Sequence, residues 1–220
     1  MDGLLVIDKP VGPTSHDVVA RVRRALRERR IGHTGTLDPL ATGVLPLVVG
    51  RATRLARFLS GSDKSYEAEV RLGVATDTDD AEGLPVGEAH SASWPTRDVI
   101  DRALDSFRGQ FAQTPPAFSA KKVAGRRSYT IHRGRTRDGV RSVPGPSPLQ
   151  SQRVTVTQLT LTECAGDRVR LTVICSAGFY VRALARDLGE RLGTGAHLAA
   201  LRRTRVGDLT LDQAVPLDAA

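Results

Sequence analysis

The chain of 220 residues has few cysteines, few lysines and no long run of apolar side chains. Cys164 and Cys175 are too few for a four-thiolate zinc site or for the disulfide framework of a secreted protein, so we predict two buried thiols in a reducing compartment. No apolar stretch approaches the length of a membrane-spanning helix. The first residues lack the basic and apolar segments of a signal peptide, so a cytoplasmic location is expected. A hydrophobic content of 40% and a charged content of 25% predict a globular protein.

Positive charge is abundant and clustered. The chain has 32 Lys and Arg against 24 Asp and Glu, a formal net charge of +8, which favours a polyanionic partner such as nucleic acid. Only four of the basic residues are lysines, so an arginine-rich composition contributes to this excess. Residues 21–30 contain six arginines and one glutamate, and residues 121–137 contain seven basic and no acidic residues. Clusters of this kind predict contacts with RNA phosphates.

The hydrophobic patterns mix helical and strand periods. Leu4 to Ile7 predict a strand, and Thr14 or Ser15 can cap a helix whose apolar residues recur at helical spacing, with arginines on the other face. Residues 32–43 have neither period and predict a loop. Further predicted elements are a strand or helical turn at 44–49, a helix at 52–59, a strand at 66–72, a helix at 96–107, paired strands at 154–162 and 168–175, and a helix at 180–192. This mixture predicts an α+β fold.

The predicted loop places the carboxylate of Asp38 between glycines and hydroxyls, directly after the arginine-rich helix. An anion beside the densest positive cluster opposes phosphate binding, so it suggests a chemical role. The simpler interpretation is that Asp38 closes an Asp-Pro turn through its own backbone.

A family resemblance covers nearly the whole chain in order. The run Gly32-His33-Thr34-Gly35-Thr36-Leu37-Asp38-Pro39-Leu40-Ala41-Thr42-Gly43 resembles the catalytic motif of the TruB family of tRNA pseudouridine synthases. The same family is resembled at residues 3–10 with 14–15, 64–73, 76–80, 113–116 with 119–120, 175–182, 187–189, 196–198 and 201–203. The resemblance implies an α+β pseudouridine synthase fold, with a mixed, mainly antiparallel sheet flanked by helices and a thumb-like insertion.

The resemblance implies three catalytic residues. Asp38 corresponds to the carboxylate that acts while the glycosidic bond breaks, the base turns and C5 joins the ribose C1′. This carboxylate either traps the sugar covalently or stabilises positive charge and manages a proton at C2′. Tyr66 corresponds to the tyrosine that stacks on the target base, and Arg182 to the arginine that pairs with the catalytic aspartate. The family chemistry needs no cofactor and no metal, and the sequence has no cluster of His and Cys ligands.

Further residues are implied to bind the substrate. His33 corresponds to the residue that replaces the extruded uridine in the loop stack, and Tyr180 and Leu201 to walls of the uracil pocket. Asp80 belongs to an acidic loop that positions basic side chains in the family, and Arg54 stands where many relatives have lysine. The remaining predicted substrate contacts are Lys9, Lys122 and Arg202, and Arg203 is expected at the RNA phosphates with them.

The resemblance also predicts an organisation of the chain. We expect a catalytic domain at residues 1–208, with a thumb-like insertion at about 117–148 that folds over the T-arm of tRNA. Residues 209–220 are expected to be a C-terminal stub, in place of the PUA-type RNA-binding domain of many relatives. The expected product is pseudouridine at position 55 of the T-loop, and the expected state is a monomer without membrane contact.

Two other functions remain compatible with the sequence. A synthase of the same fold could act on a different RNA uridine, because substrate choice depends on details of the insertion and pocket. The protein could also be an RNA chaperone that folds tRNA, although intact Asp38, Tyr66 and Arg182 argue against loss of catalysis. A helix-turn-helix DNA-binding domain fits less well, because no second helix follows Arg30 at the required distance.

Overall fold

The structure, a computed structural model, describes residues 1–90, 92–117 and 150–219, together with the backbone of the short strands Lys122–Val123 and Arg126–Arg127. The helices are α1 (Ser15–Leu26), α2 (Ala56–Leu59), α3 (Arg97–Leu104) and α4 (Val181–Leu192). The longer strands are β1 (Gly3–Lys9), β3 (Ala41–Val49), β4 (Lys64–Leu72), β7 (Gly109–Gln113), β10 (Gln152–Ala165), β11 (Arg168–Cys175) and β12 (Ala196–Val206). The short strands are β2 (Ile31–His33), β5 (Ala75–Thr76), β6 (Pro85–Val86), β8 (Lys122–Val123), β9 (Arg126–Arg127), β13 (Leu209–Thr210) and β14 (Val215–Pro216). Turns of 3-10 helix cover Gly50–Leu55, Asp105–Phe107, Leu211–Gln213 and Leu217–Ala219.

The chain divides into two compact units. Unit 1 comprises residues 1–68, 172–177 and 200–220, and unit 2 comprises residues 69–171 and 178–199. The predicted boundary at residue 208 and the C-terminal stub stay predictions. Most of the predicted thumb-like insertion lies outside the described residues.

Unit 1 is built on strands in the order β14-β1-β3-β12-β4-β11, with β2 paired to β3 and β13 paired to β12. β1 and β3 are antiparallel over seven residue pairs, from Gly3 opposite Val49 to Lys9 opposite Gly43. β12 runs parallel to β3, with Leu201 opposite Ala41. The sheet is therefore mixed, and the residues around Asp38 lead directly into its central strands.

Helix α1 begins at a capping box with Thr14 as the N-cap, one of the two caps that the sequence predicts. The Thr14 hydroxyl accepts from the Asp17 backbone N–H at 3.1 Å, and the Asp17 carboxylate accepts from the Thr14 N–H at 2.9 Å. Val18 and Val22 are fully buried on the apolar face. The helix ends at Arg27, which adopts a left-handed conformation with φ of 50°.

Unit 2 contains strands in the order β4-β11-β10-β7, together with α3 and α4. β10 and β7 are antiparallel, with Val154 opposite Phe111. Ile100, Leu104, Leu184 and Leu188 are fully buried, so the apolar faces of both helices contribute to the core.

Two predicted helices differ in detail from the structure. The segment predicted as a helix at 52–59 is 3-10 helix from Gly50 to Leu55 and only four residues of α-helix after it. The helix predicted at 96–107 is α-helical to Leu104 and then tightens into 3-10 geometry. Residues 44–49, which the sequence predicts as a strand or a helical turn, belong to β3, where all six pair with β1 and residues 47–49 also pair with β2.

Candidate active site

The catalytic motif forms a tightly held loop between β2 and β3, and we call residues 34–40 the Asp38 loop. The Ser15 hydroxyl donates to the Leu37 carbonyl at 3.0 Å and accepts from the Leu37 N–H at 2.8 Å. The Ala41 N–H donates to the Asp38 carbonyl at 3.1 Å, which closes a turn. Asp38 itself is half-buried. The backbone of the loop is fixed while the carboxylate stays partly accessible.

Lys9 binds the backbone that follows Asp38. Its side chain is fully buried, and its ammonium donates to the carbonyls of Pro10 at 2.9 Å, Pro39 at 3.2 Å and Ala41 at 2.6 Å. An ammonium has three protons, and these three acceptors use all of them. The prediction that Lys9 contacts the substrate is therefore wrong, because the side chain is enclosed and holds the loop.

Arg203 lies under the same loop. Only 1% of its surface is exposed, and its guanidinium donates to the carbonyls of Val44 at 2.8 Å, Gly35 at 3.1 Å and Thr36 at 3.4 Å. The expectation that Arg203 contacts RNA phosphates is wrong, since its donors point into the protein. An arginine pattern alone does not distinguish a buried residue from a surface residue.

Tyr66 is a buried neighbour of this loop, with 8% of its surface exposed. Burial is the largest influence on its phenol and raises the pKa. The positive charge of Arg203 and a side-chain hydrogen bond from it lower that pKa, and the negative charge of Asp38 raises it. Asp38, Tyr66 and Arg203 therefore lie within electrostatic reach of one another in unit 1.

Close packing of two strands explains the glycine at the end of the motif. Gly43 has φ of 100°, and a Cβ built on it would lie 2.1 Å from the carbonyl oxygen of Arg203. Only glycine permits both this conformation and this approach. The resulting register places Leu201, which is 8% exposed, opposite Ala41.

The other predicted substrate contacts of unit 1 lie at varied depths. His33 is half-buried at the end of β2 and makes an edge contact with His16, with ring centroids 5.3 Å apart. Arg202 forms a two-point ion pair with Asp8, at 2.8 and 3.2 Å, and remains 37% exposed. Arg54 is exposed on the 3-10 turn. Arg54 and Arg202 therefore keep surface available for an RNA contact.

Arg182 and Asp80 form a buried pair in unit 2. Arg182 Nε lies 3.6 Å from Asp80 Oδ2, and Arg182 Nη1 donates to the Thr78 carbonyl at 2.8 Å. The Thr78 hydroxyl donates to the Asp80 carboxylate at 2.6 Å, and the Glu82 N–H donates to it at 3.1 Å. Asp80 is only 4% exposed, so its geometry suits support of Arg182 better than direct contact with RNA.

Sequence reasoning missed a second ion pair in the same loop. Asp79 accepts from Arg186 at 3.0 Å, and Arg186 also donates to Asp187 and to the Thr114 carbonyl. Burial raises the pKa of Asp79 to about 6, and the nearby cations Arg186 and Arg182 offset only part of that effect. The sequence does contain the parts of this arrangement. Asp79 and Asp80 are adjacent, and Arg182 and Arg186 lie four residues apart on the predicted helix, so both arginines are on one face.

Tyr180 is positioned through its backbone by Gln113. The Gln113 amide donates to the Tyr180 carbonyl at 3.0 Å and accepts from the Tyr180 N–H at 2.9 Å. Gln113 is 1% exposed, so this two-way clamp is shielded from water. The Tyr180 side chain is half-buried at the start of α4.

Each unit thus holds its own part of the predicted site. Unit 1 holds Asp38 and Tyr66 with their loop, and unit 2 holds Arg182 with Asp80 and Tyr180. The Lys122 side chain lies outside the described residues. Within the described ranges, no group of three His, Cys, Asp or Glu side chains is arranged to hold a metal ion. In the same part of the chain, no helix has the length and apolar character needed to cross a membrane.

Comparison with known proteins identifies the family. Residues 23–181 match the model for the TruB family pseudouridylate synthase N-terminal domain, and residues 182–219 match the tRNA pseudouridylate synthase B C-terminal domain. The tRNA pseudouridine synthase B of Solibacter usitatus is 49% identical over 99% of this chain and 71% of its own length. The enzyme of the same name from Mycolicibacterium paratuberculosis is 50% identical over 98% of this chain and 72% of its own length.

A solved structure shares the fold. One chain of a Cbf5-Nop10-Gar1 complex superposes with a TM-score of 0.73 and 31% identity, over 98% of this chain and 52% of that one. This chain therefore spans about half the length of that solved chain. The α+β pseudouridine synthase fold and the family resemblance predicted from the sequence are confirmed, and so is the isomerase class that the family name carries. This chain belongs to the TruB family of pseudouridylate synthases.

Proposed function

We propose that this protein isomerises uridine 55 in the T-loop of tRNA to pseudouridine, with Asp38 as the carboxylate that acts at the ribose. One observation carries the proposal: a partly accessible Asp38 sits on a loop whose backbone is held by Ser15, Lys9 and Arg203. A fixed carboxylate can approach a sugar carbon without first having to order its own loop, which lowers the entropic barrier.

Tyr66 and Arg182 complete the proposed catalytic set. The buried Tyr66 ring offers a flat surface for the target uracil, and its hydroxyl lies within the electrostatic field of Asp38. Arg182 is a cation held by Asp80 and the Thr78 carbonyl, so its guanidinium is pre-ordered before RNA binds. The reaction moves a base on one sugar and leaves the atoms of the substrate unchanged in number, so it consumes no co-substrate.

The tRNA contacts are proposed for a second set of residues. His33 is proposed to fill the gap left by the extruded uridine, and Tyr180 and Leu201 to line the uracil pocket. Arg54, Arg202 and Lys122 are proposed to contact phosphates, together with the exposed arginines of residues 21–30. The predicted cytoplasmic location and monomeric state stay predictions.

A tritium-release assay tests this function. Unmodified tRNA labelled with tritium at C5 of uracil is incubated with the parent protein, with Asp38→Asn, and with Asp212→Asn as a control at an exposed carboxylate. We expect the parent and the control to release tritium, Asp38→Asn to release none, and all three to bind tRNA equally in a filter assay. Absence of release by the parent would refute the enzyme proposal.

Two further arms separate the alternatives. A transcript with cytidine at position 55 should release no tritium, whereas release from it would indicate another target uridine. If Asp38→Asn refolds a misfolded tRNA as well as the parent does, a chaperone role coexists with catalysis. If the parent refolds tRNA but never releases tritium, the chaperone reading replaces the enzymatic one.

A further inference from the structure

Arg203 is a buried guanidinium whose acceptors are neutral. The groups that it bonds are the carbonyls of Val44, Gly35 and Thr36, and its charge also acts on the nearby Tyr66 phenol. Burying a charge against neutral partners costs free energy that an apolar side chain of similar size would avoid. Such an arrangement is expected where the cation has a task beyond stability.

The acceptors of Arg203 are not spread over the fold. Gly35 and Thr36 belong to the Asp38 loop, and Val44 lies in the strand that continues from it. A Cβ on Gly35 would lie 3.5 Å from Arg203 Nη1, so the backbone of the loop rests directly on the guanidinium. Two nitrogens of one rigid, planar guanidinium therefore fix the backbone position of the loop that carries Asp38.

The same guanidinium also reaches the second catalytic candidate. Arg203 lies near the Tyr66 phenol, where its positive charge acts to lower the phenol pKa against the larger, opposite effect of burial. Lys64 is a second buried cation near this group: burial lowers its pKa, and the charge of Arg203 lowers it further. Two buried cations, Arg203 and Lys64, therefore lie near each other in this part of unit 1.

We propose that Arg203 is a positioning residue that holds the Asp38 loop in one fixed arrangement beside the Tyr66 phenol. The planar guanidinium of Arg203 has donors in fixed directions, so it holds the Asp38 loop at a fixed distance from the Tyr66 phenol. The flexible ammonium of a lysine would not fix that distance. This inference rests on the proposed function, because it assigns Arg203 a task within that reaction.

The test uses the full chain and single-turnover tritium release from tRNA. We expect Arg203→Lys, which keeps the charge but loses the fork of donors, to lower the single-turnover rate by about 100-fold, the size expected for a misplaced group near the chemistry. Its tRNA dissociation constant should stay within about threefold of the parent's, because the side chain does not face solvent. The control is Arg108→Lys in unit 2, which makes the same change at an arginine outside the proposed site. Arg108 bonds one carbonyl and two carboxylates, and its replacement should leave the rate unchanged.

A double-mutant cycle with Tyr66→Phe distinguishes a positioning role from a merely structural one, because a structural role would give independent effects on the rate. If Arg203 acts through Tyr66, Arg203→Lys should lower the rate of the Tyr66→Phe protein by less than threefold. Rate losses that multiply across the cycle would overturn the proposal. So would a rate for Arg203→Lys within threefold of the parent's.

The folded state of each variant is checked by circular dichroism and thermal melting. Arg203→Gln, which retains an amide donor for the loop carbonyls, is the second variant if Arg203→Lys does not fold. If neither folds, Arg203 is a folding residue and the proposal falls. If the parent releases no tritium, the proposed function fails on its own, and that result differs from each of these outcomes.

Discussion

Substitution of Gly43 by alanine should destabilise the protein far more than the conformation of this residue alone explains. Gly43 has φ of 100°, and Gly12 has φ of 106°, so both backbones disfavour alanine to a similar degree. A Cβ at Gly12 meets nothing within 4 Å, whereas a Cβ at Gly43 would lie 2.1 Å from the Arg203 carbonyl oxygen. The two substitutions therefore share the strain and differ in the clash.

The magnitudes follow from these two terms. Backbone strain costs about 1–3 kcal/mol for a non-glycine residue at such a φ, and this should be the whole loss for Gly12→Ala. The contact at Gly43 is with backbone, so relief requires β3 and β12 to separate, and overpacking of this kind adds roughly 1–3 kcal/mol or more. We expect Gly43→Ala to lose at least about 1 kcal/mol more than Gly12→Ala.

Urea unfolding followed by circular dichroism measures both losses directly. A shift of the transition midpoint without a change in slope would report stability alone. Equal losses for the two variants would refute the reasoning, because they would show that the strands adjust to a methyl group without cost. A loss of slope in Gly43→Ala alone would indicate that the packing of β12 on β3 no longer unfolds cooperatively with the rest.

Two further changes have outcomes set by buried charges. Because burial raises the pKa of Asp79 from 3.8 to about 6, its ionisation opposes folding, so its contribution to stability is present below pH 4 and is lost as the pH rises through 6. Asp79→Asn should therefore reduce the fall in unfolding free energy between pH 4 and 7 by up to about 3 kcal/mol in urea titrations, and an unchanged pH dependence would contradict this. Lys9→Met removes three donors from buried carbonyls and should cost about 3 kcal/mol of stability, partly offset because no charge is then buried. The single-turnover rate of Lys9→Met should also fall while its affinity for tRNA stays unchanged. Weaker tRNA binding at an unchanged rate would instead support the prediction that Lys9 contacts the substrate.

Much of the fold was readable because local signals agreed with the final structure. A cap at Thr14 or Ser15 and the spacing of Val18 and Val22 predict α1 before any tertiary contact is considered. The strand Ala196–Val206 was not predicted as an element, since its apolar residues do not alternate regularly and two adjacent arginines, Arg202 and Arg203, interrupt them. Those arginines are explained only by tertiary partners, a carboxylate for Arg202 and three carbonyls for Arg203.

The candidate site shows a similar division between residue type and depth. Asp38 and Tyr66 are predicted as site residues because each lies in a segment, 32–43 or 64–73, that resembles the TruB family. The motif does not reveal which cations face RNA and which face the protein. Lys9, Arg202 and Arg203 are all basic residues within matching segments, yet their exposure ranges from none to about a third of the side chain. Burial is a property of the assembled sheet, so the sequence pattern alone could not separate them.

The way in which the Asp38 loop is held argues for a site that is ordered before the substrate arrives. Three side chains from three different elements bind its backbone: Ser15 from α1, Lys9 from β1 and Arg203 from β12. All three bind backbone rather than the carboxylate, so they restrict the position of Asp38 through its main chain. An enzyme that extrudes a nucleotide already spends binding free energy on unstacking the base. A loop that needs no ordering of its own leaves more of that binding energy for extrusion, which is the physical reason to expect buried cations beneath it.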